Sequence, residues 1–181
     1  MPVSNYSWDA EFAALFERCV AQYHGGSRDY TRYYSAKDKA FLDAIGCQSR
    51  EFFDFVEDYC EYGDPAPGAA LLIAAARRDY LRTIQHGQKS TVVLQPGALP
   101  PKDDTSLGGI RWLARILAKA RAKLRGELHP DIMYGCGGDR QFLEQHGIHA
   151  ADFLRVVWAA GDDDARVLAW QTYARQLAHG A

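Results

Sequence analysis

Apolar residues recur along this chain at helical rather than alternating spacing. Phe12, Leu15, Phe16, Cys19, Val20 and Tyr23 fall at steps of three and four and predict a helix from about Trp8 to His24. Ser7 or Asp9 can cap its start, and Gly25-Gly26 stops it. A short helix is expected over Asp38–Ile45, closed by Gly46. Ser49 caps the next, which carries Phe52, Phe53, Val56, Tyr59 and Cys60 and ends at Gly63. Pro65 and Pro67 open a fourth, with Leu71, Leu72, Ala75, Tyr80 and Leu81; proline costs little in a first turn, where its missing N–H has no partner anyway. Breakers at Gln95-Pro96-Gly97, Pro100-Pro101 and Gly108-Gly109 mark His86–Gly109 as an ordered connector. Helices resume over Ile110–Arg125, Asp139–His146, Ala150–Ala160 and Asp163–Ala178. Ser90–Gln95 is the one β-branched run, and a single strand makes no sheet. The expected fold is all-α.

The second set of helices repeats the first. A shift of 101 positions lays Leu15–Asp58 over Ile116–Ala159 without a gap and pairs Ala21 with Ala122, Gly25 with Gly126, Tyr33 with Tyr134, Asp38 with Asp139, Phe41 with Phe142, Leu42 with Leu143, Gly46 with Gly147, Phe52 with Phe153 and Val56 with Val157. Arg18/Lys119 and Glu51/Asp152 are conservative. After a three-residue shortening, Gly63/Gly161, Asp64/Asp162, Ala76/Ala174 and Arg77/Arg175 also match. Several matched residues lie in loops, where helical periodicity cannot generate them. The expectation is two tandem four-helix repeats related by a pseudo-twofold and sharing one core. The repeats are 1–87 and 110–181, joined by a connector at 88–109 in one compact unit.

Composition narrows the class. At 181 residues, 48% hydrophobic and 24% charged, the chain has a soluble globular mixture, without a run of about 20 apolar residues for a membrane span. Met1–Ala10 has no basic region followed by an apolar run, so no secretory signal is expected. Four scattered cysteines (Cys19, Cys47, Cys60, Cys136) form no CxxC pair and point to a reduced, cytoplasmic setting. The net charge of −2 disfavours a dedicated nucleic-acid binder.

The strongest candidate chemistry lies at Tyr134-Gly135-Cys136-Gly137-Gly138-Asp139-Arg140. Glycines let backbone approach a ligand closely, the loop leads into a helix N-terminus that favours an anion, and Arg140 can add a bidentate contact. The matching loop, Tyr33-Tyr34-Ser35-Ala36-Lys37-Asp38, has none of those glycines. The structural alternative makes Asp38 and Asp139 helix N-caps and the glycines a tight turn. Ile110–Arg125 carries Arg111, Arg115, Lys119, Arg121, Lys123 and Arg125 and no acid. This is either a phosphate-contacting stripe or a face opposed to Glu51, Asp54, Glu57, Asp58 and Glu61 on the helix after Ser49; opposed acids are the favoured reading. Arg77, Arg78 and Arg82 form a second basic cluster beside Asp79. His129, His146, His149 and Cys136 make only a weak zinc set, because Gly147 breaks the helix between the last two histidines, and no metal or cofactor is expected. Cys136, between glycines before a helix, is a candidate reactive thiol without a readable partner. Asp162-Asp163-Asp164 should serve the N-terminus of the last helix. Phe41, Phe52, Phe142 and Phe153 are expected in the core; Tyr30, Tyr33 and Tyr34 are candidates for a cleft wall, and Trp112 and Trp170 for core or cleft wall.

The second half also carries a recognisable pattern: Gly108-Gly109-Ile110-Arg111-Trp112-Leu113-Ala114-Arg115, then Lys119 to Gly126, Tyr134 to Arg140, Phe142-Leu143, Gly147-Ile148, Phe153, Gly161-Asp162 and Leu168-Ala169-Trp170. From Gly108 to Gln176 it resembles the bacterial family called "domain of unknown function 5069", and Leu71–Leu81 resembles the N-terminal part of longer members. The resemblance implies a small helical protein and no reaction, so no catalytic residue is carried over from it.

The functional expectation is binding or transformation of a small anionic molecule in a cleft between the repeats. The Tyr134–Arg140 loop would hold it, with Arg115, Lys119 and Arg77 nearby and Tyr33 opposite. The alternatives are a non-catalytic interaction module binding a protein or a second copy of itself and, more weakly, RNA binding through the 110–125 helix. No membrane partner is expected.

Overall fold

The computed structural model describes residues 5–180; residues 1–4, the start of the Met1–Ala10 segment, and Ala181 lie outside the described residues. Among these the chain is all-α. Its helices are α1 (Trp8–His24), α2 (Ala36–Ala44), α3 (Ser49–Tyr62), α4 (Pro67–Thr83), α5 (Leu113–Arg125), α6 (Gly137–Gln145), α7 (Ala150–Ala160) and α8 (Asp164–His179), with short 3-10 turns at Tyr30–Arg32 and Pro96–Ala98. The Ser90–Gln95 run forms no strand; Leu94 makes one isolated parallel bridge to Leu128.

Local chemistry explains the boundaries that differ from expectation. Ser35, not Asp38, is the N-cap of α2; Asp38 stands at the third helical position and completes a capping box with it. Ser49 is the first residue of α3, preceded by Gln48 as N-cap. Helix α5 starts at Leu113 because Trp112 takes a left-handed conformation with φ of 72°. That removes Arg111 from the helix and breaks the expected Arg111–Arg115–Lys119 stripe. Asp163 caps α8, accepting from the Arg166 amide.

Helix α4 is the structural axis. It packs against α1 on one side and against α5 and α7 on the other, while α3 lies on α1 and α8 on α7. Its buried alanines, Ala70, Ala74 and Ala76, leave room for these neighbours, and Ile73 and Leu81 fill the gaps. Phe12, Phe16 and Phe52 meet edge-on or stacked in the first half, and Phe41, Phe142 and Phe153 are buried as expected. Tyr33 and Tyr34 belong to this same core rather than to a cleft. Tyr33 packs against Phe53 and donates to the Ser27 carbonyl; Tyr34 donates to the Ser49 carbonyl.

The two sides are tied together by Arg77, only 2% exposed. Its Nη1 donates to the Leu124 carbonyl at the end of α5 (2.7 Å) and to Gln85 Oε1 (2.5 Å), and its Nε donates to the Gly46 carbonyl (3.2 Å). Helix-terminal carbonyls lack intrahelical partners, so one planar guanidinium satisfies acceptors on both sides at once. Gly46 lies at φ of 69°, and a Cβ there would stand 3.0 Å from Arg77 Nε, so glycine answers both the turn and the close approach. A buried ion pair from Lys123 on α5 to Glu51 on α3 adds a second tie, and Gln48 Nε2 donates to the Leu128 carbonyl (2.9 Å).

Arg77→Ala leaves these acceptors without a partner and should lower stability by about 3 kcal/mol in chemical denaturation, a loss that Arg77→Lys recovers only in part. Asp54 on α3 makes a pH prediction. Burial pushes its carboxyl from 3.8 up to about 7, against the opposing pull of Arg50. The folded state therefore holds that proton more tightly than the unfolded chain, so the Asp54 contribution falls as pH rises from about 4 to about 7. Asp54→Asn should flatten that part of the stability–pH curve and raise the melting temperature at pH 8.

Candidate functional site

The Tyr134–Arg140 loop is built around one buried carboxylate. Asp139, fully buried at the third position of α6, accepts from the Gly135 amide (3.0 Å), from Trp112 Nε1 (2.9 Å) and from Lys119 Nζ (2.5 Å). It is therefore not an N-cap. That position belongs to Cys136, which provides no side-chain capping bond. Lys119 Nζ also lies 3.2 Å from Cys136 Sγ. Gly135 takes φ of 84°, the conformation glycine permits. Gly138 is required for another reason: a Cβ there would sit 2.5 Å from the Trp112 ring. Tyr134 is fully buried, donates to the Ala150 carbonyl (2.7 Å), and its phenol is pushed up by burial.

Arg140 turns the other way. Its Nη1 donates to Asp58 (2.6 Å) and to the Gly135 carbonyl (2.7 Å), and its Nε meets Asp64 (2.7 Å). Beside it opens a cleft of about 460 Å³. Asp64 and Pro65, at the turn before α4, form one edge, and Ala69 and Ile73 of α4 form a wall. Arg140, Leu143 and Glu144 of α6 face them, and Ile148, His149 and Ala150 close the end. Its volume suits a small molecule.

Of the residues expected at the site, the cleft brings together Gly135 and Arg140. Tyr134, Cys136, Lys119 and Asp139 form the supporting layer of the loop. Gly137 is exposed, and Gly138 faces a different groove. The other three lie elsewhere: Arg115 donates to the Pro100 carbonyl (2.7 Å) and holds the connector, Arg77 is the tie between the two sides, and Tyr33 is in the first-half core. Sequence reasoning missed Asp64, Glu144 and the apolar wall. The Gly63-Asp64/Gly161-Asp162 match was a signal for Asp64; nothing in the periodicity marks Glu144 as facing a cleft.

From Lys119 onward the cations of α5 are paired within the fold. Lys119 goes to Asp139, Lys123 to Glu51, Arg121 to Asp164 and the Gly161 carbonyl, and Arg125 to Asp162. Only Lys123 meets the acidic helix α3; the others reach the starts of α6 and α8. Among the described residues no group of three or more His, Cys, Asp or Glu side chains is placed to hold a metal ion, and no helix is long and apolar enough to cross a membrane.

Fold and site define an all-α protein with a small-molecule-sized cleft where α4 meets α6. Residues 99–181 match the family model described as Domain of unknown function (DUF5069). Comparison with curated proteins finds no match, and neither does comparison with solved structures.

The Lys119–Asp139 pair gives a direct test of the supporting layer. Lys119→Met leaves a buried carboxylate without its cation and should cost about 3–5 kcal/mol by denaturant titration. Adding Asp139→Asn, which removes the unpaired charge and keeps one acceptor oxygen for either Gly135 or Trp112, should restore part of that loss.

Proposed function

We propose that the cleft between α4 and α6 binds a small amphipathic molecule whose polar end is an amine or another hydrogen-bond donor. One observation carries this reading: Arg140 is held between two carboxylates, Asp58 and Asp64, with Glu144 on the same lining. A lone anion, the ligand expected from the glycine loop, would meet a guanidinium whose charge is already offset, and a third carboxylate beyond it. A cation or a neutral donor meets acceptors instead. Ile73, Leu143 and Ile148 supply an apolar wall for the rest of the ligand.

We also read the chain as an internal duplication. Arg18 pairs with Asp38 across α1 and α2 (2.7 Å), as Lys119 pairs with Asp139 across α5 and α6, at the same shift of 101 positions. The carbonyls of Ser49 and Ala150, matched at the same shift and first in α3 and α7, each accept from a tyrosine hydroxyl, although the donors, Tyr34 and Tyr134, are one position out of register. On this reading the ligand cleft lies where α4 of the first copy meets the second copy, whose loop gained its glycines.

The test is a thermal-shift screen comparing small aliphatic and aromatic amines with the matching carboxylates. An amine at 100 times its dissociation constant should stabilise the protein by about 2.7 kcal/mol. Glu144→Gln should weaken that effect, and Ala69→Phe, which fills the cleft from α4, should abolish it. Stabilisation by carboxylates with no response to amines overturns the reading.

A further inference from the structure

The opposite face of α6 carries a second cavity of different chemistry. A groove of about 660 Å³ runs between α6 and the segment before α5, lined by Lys102, Arg111, Trp112, Phe142 and His146 together with Ile110, Gly138 and two glutamines. Among the described residues no carboxylate lines it. Lys102 and Arg111 are exposed, and neither makes an ion pair among the described residues, whereas the cations of α5 from Lys119 onward are all paired. Asp104, close to Lys102 in the chain, is turned toward the Ser106 amide (2.7 Å).

Trp112 is the built element of this groove. A bulky residue at φ of 72° is strained and persists only where its surroundings hold it. The indole Nε1–H donates to buried Asp139, and the ring lies over Gly138, where any side chain would collide with it. Lys102 Nζ sits 5.9 Å from the centre of that ring. Across the groove, the Phe142 and His146 rings meet at a tilt of 35° with centroids 4.3 Å apart. Held aromatic surface together with unpaired cations is the combination that receives a planar ring bearing a negative group.

We propose that this groove is a binding site for a nucleoside phosphate. Two unpaired cations match a phosphate monoester, which carries a charge of about −1.5 to −2, better than they match a single carboxylate. The base would lie on the Trp112 side and the phosphate between Lys102 and Arg111. The site is separate from the amine cleft and independent of that reading.

Calorimetric titration of the full chain with each of the four ribonucleoside 5′-monophosphates, at low salt, tests the assignment. At least one should bind. The matching nucleoside and inorganic phosphate should each bind about tenfold more weakly or worse. The double substitution Lys102→Ala/Arg111→Ala removes only exposed side chains and should weaken binding at least about tenfold, and Gln141→Glu should do the same by placing a negative charge in the groove. Ala69→Phe, in the other cavity, should leave binding unchanged. A tetranucleotide that binds about tenfold tighter than the mononucleotide supports the site with a strand as its source, and equal affinity supports it with the free nucleotide. No binding by any of the four at millimolar concentration overturns the proposal. So does binding indifferent to Lys102→Ala/Arg111→Ala, or inorganic phosphate binding as tightly as the nucleotide.

Discussion

One buried carboxylate organises the C-terminal half. Asp139 is cut off from water and would be costly there without compensation. It has three donors from three places: the Gly135 amide of its own loop, the Trp112 indole ahead of α5, and the Lys119 ammonium within α5. Each donor fixes a different feature. Gly135 sets the turn whose carbonyl accepts from Arg140, and so positions the cleft. Trp112 is held in its left-handed conformation over Gly138, and so shapes the groove. Lys119 locks α5 to the start of α6. A buried pair of this kind adds little net stability over apolar packing, but it fixes geometry, because an unsatisfied partner is heavily penalised.

The N-terminal half makes the same type of connection in a different dielectric setting. Arg18 is about half exposed where it meets Asp38, while Lys119 is almost wholly buried. An exposed pair is screened and contributes at most about 1 kcal/mol, so α2 leans instead on the capping box of Ser35 and Asp38. Helix α6 has no such cap, and its carboxylate is engaged elsewhere. If the halves descend from one unit, as we propose, the divergence consists of moving an acid from capping its own helix to joining three elements, with glycines making the space.

The helices were legible because amphipathic periodicity and helix stops are local properties of the chain. Trp8–His24 and Ala150–Ala160 follow from spacing alone, and the other helices needed only small shifts of boundary. The exceptions have tertiary causes. Trp112 lies in a segment that reads as helix, yet a hydrogen bond to a residue 27 positions away holds it in a left-handed turn. Arg77 reads as one of a basic cluster lying near the ligand, and it is buried away from the cleft because the carbonyl ends of two other segments converge on it. The glycine loop stands out in the sequence, but the partners that give it its shape lie far along the chain, where spacing cannot reveal them. Asp58 and Asp64 lie 82 and 76 positions from Arg140, and both pair with its guanidinium.

Helix α6 then explains how one short element serves two cavities of opposite character. Residues three and four apart share a helix face. Arg140, Leu143 and Glu144 follow that rule and face the cleft; Gly138, Gln141, Phe142 and Gln145 follow it on the other side and face the groove. The charges of the helix are thereby sorted. Arg140 and Glu144 fall to the cleft, where Asp58 and Asp64 draw the balance negative. The groove face carries no charge of its own, so Lys102 and Arg111, from the segment before α5, set its sign unopposed. Asp139, the remaining acid of α6, is withdrawn between the two faces and neutralised by Lys119. With that ion pair intact, neither cavity feels the full field of the carboxylate, and the two can differ in charge although they share the same helix.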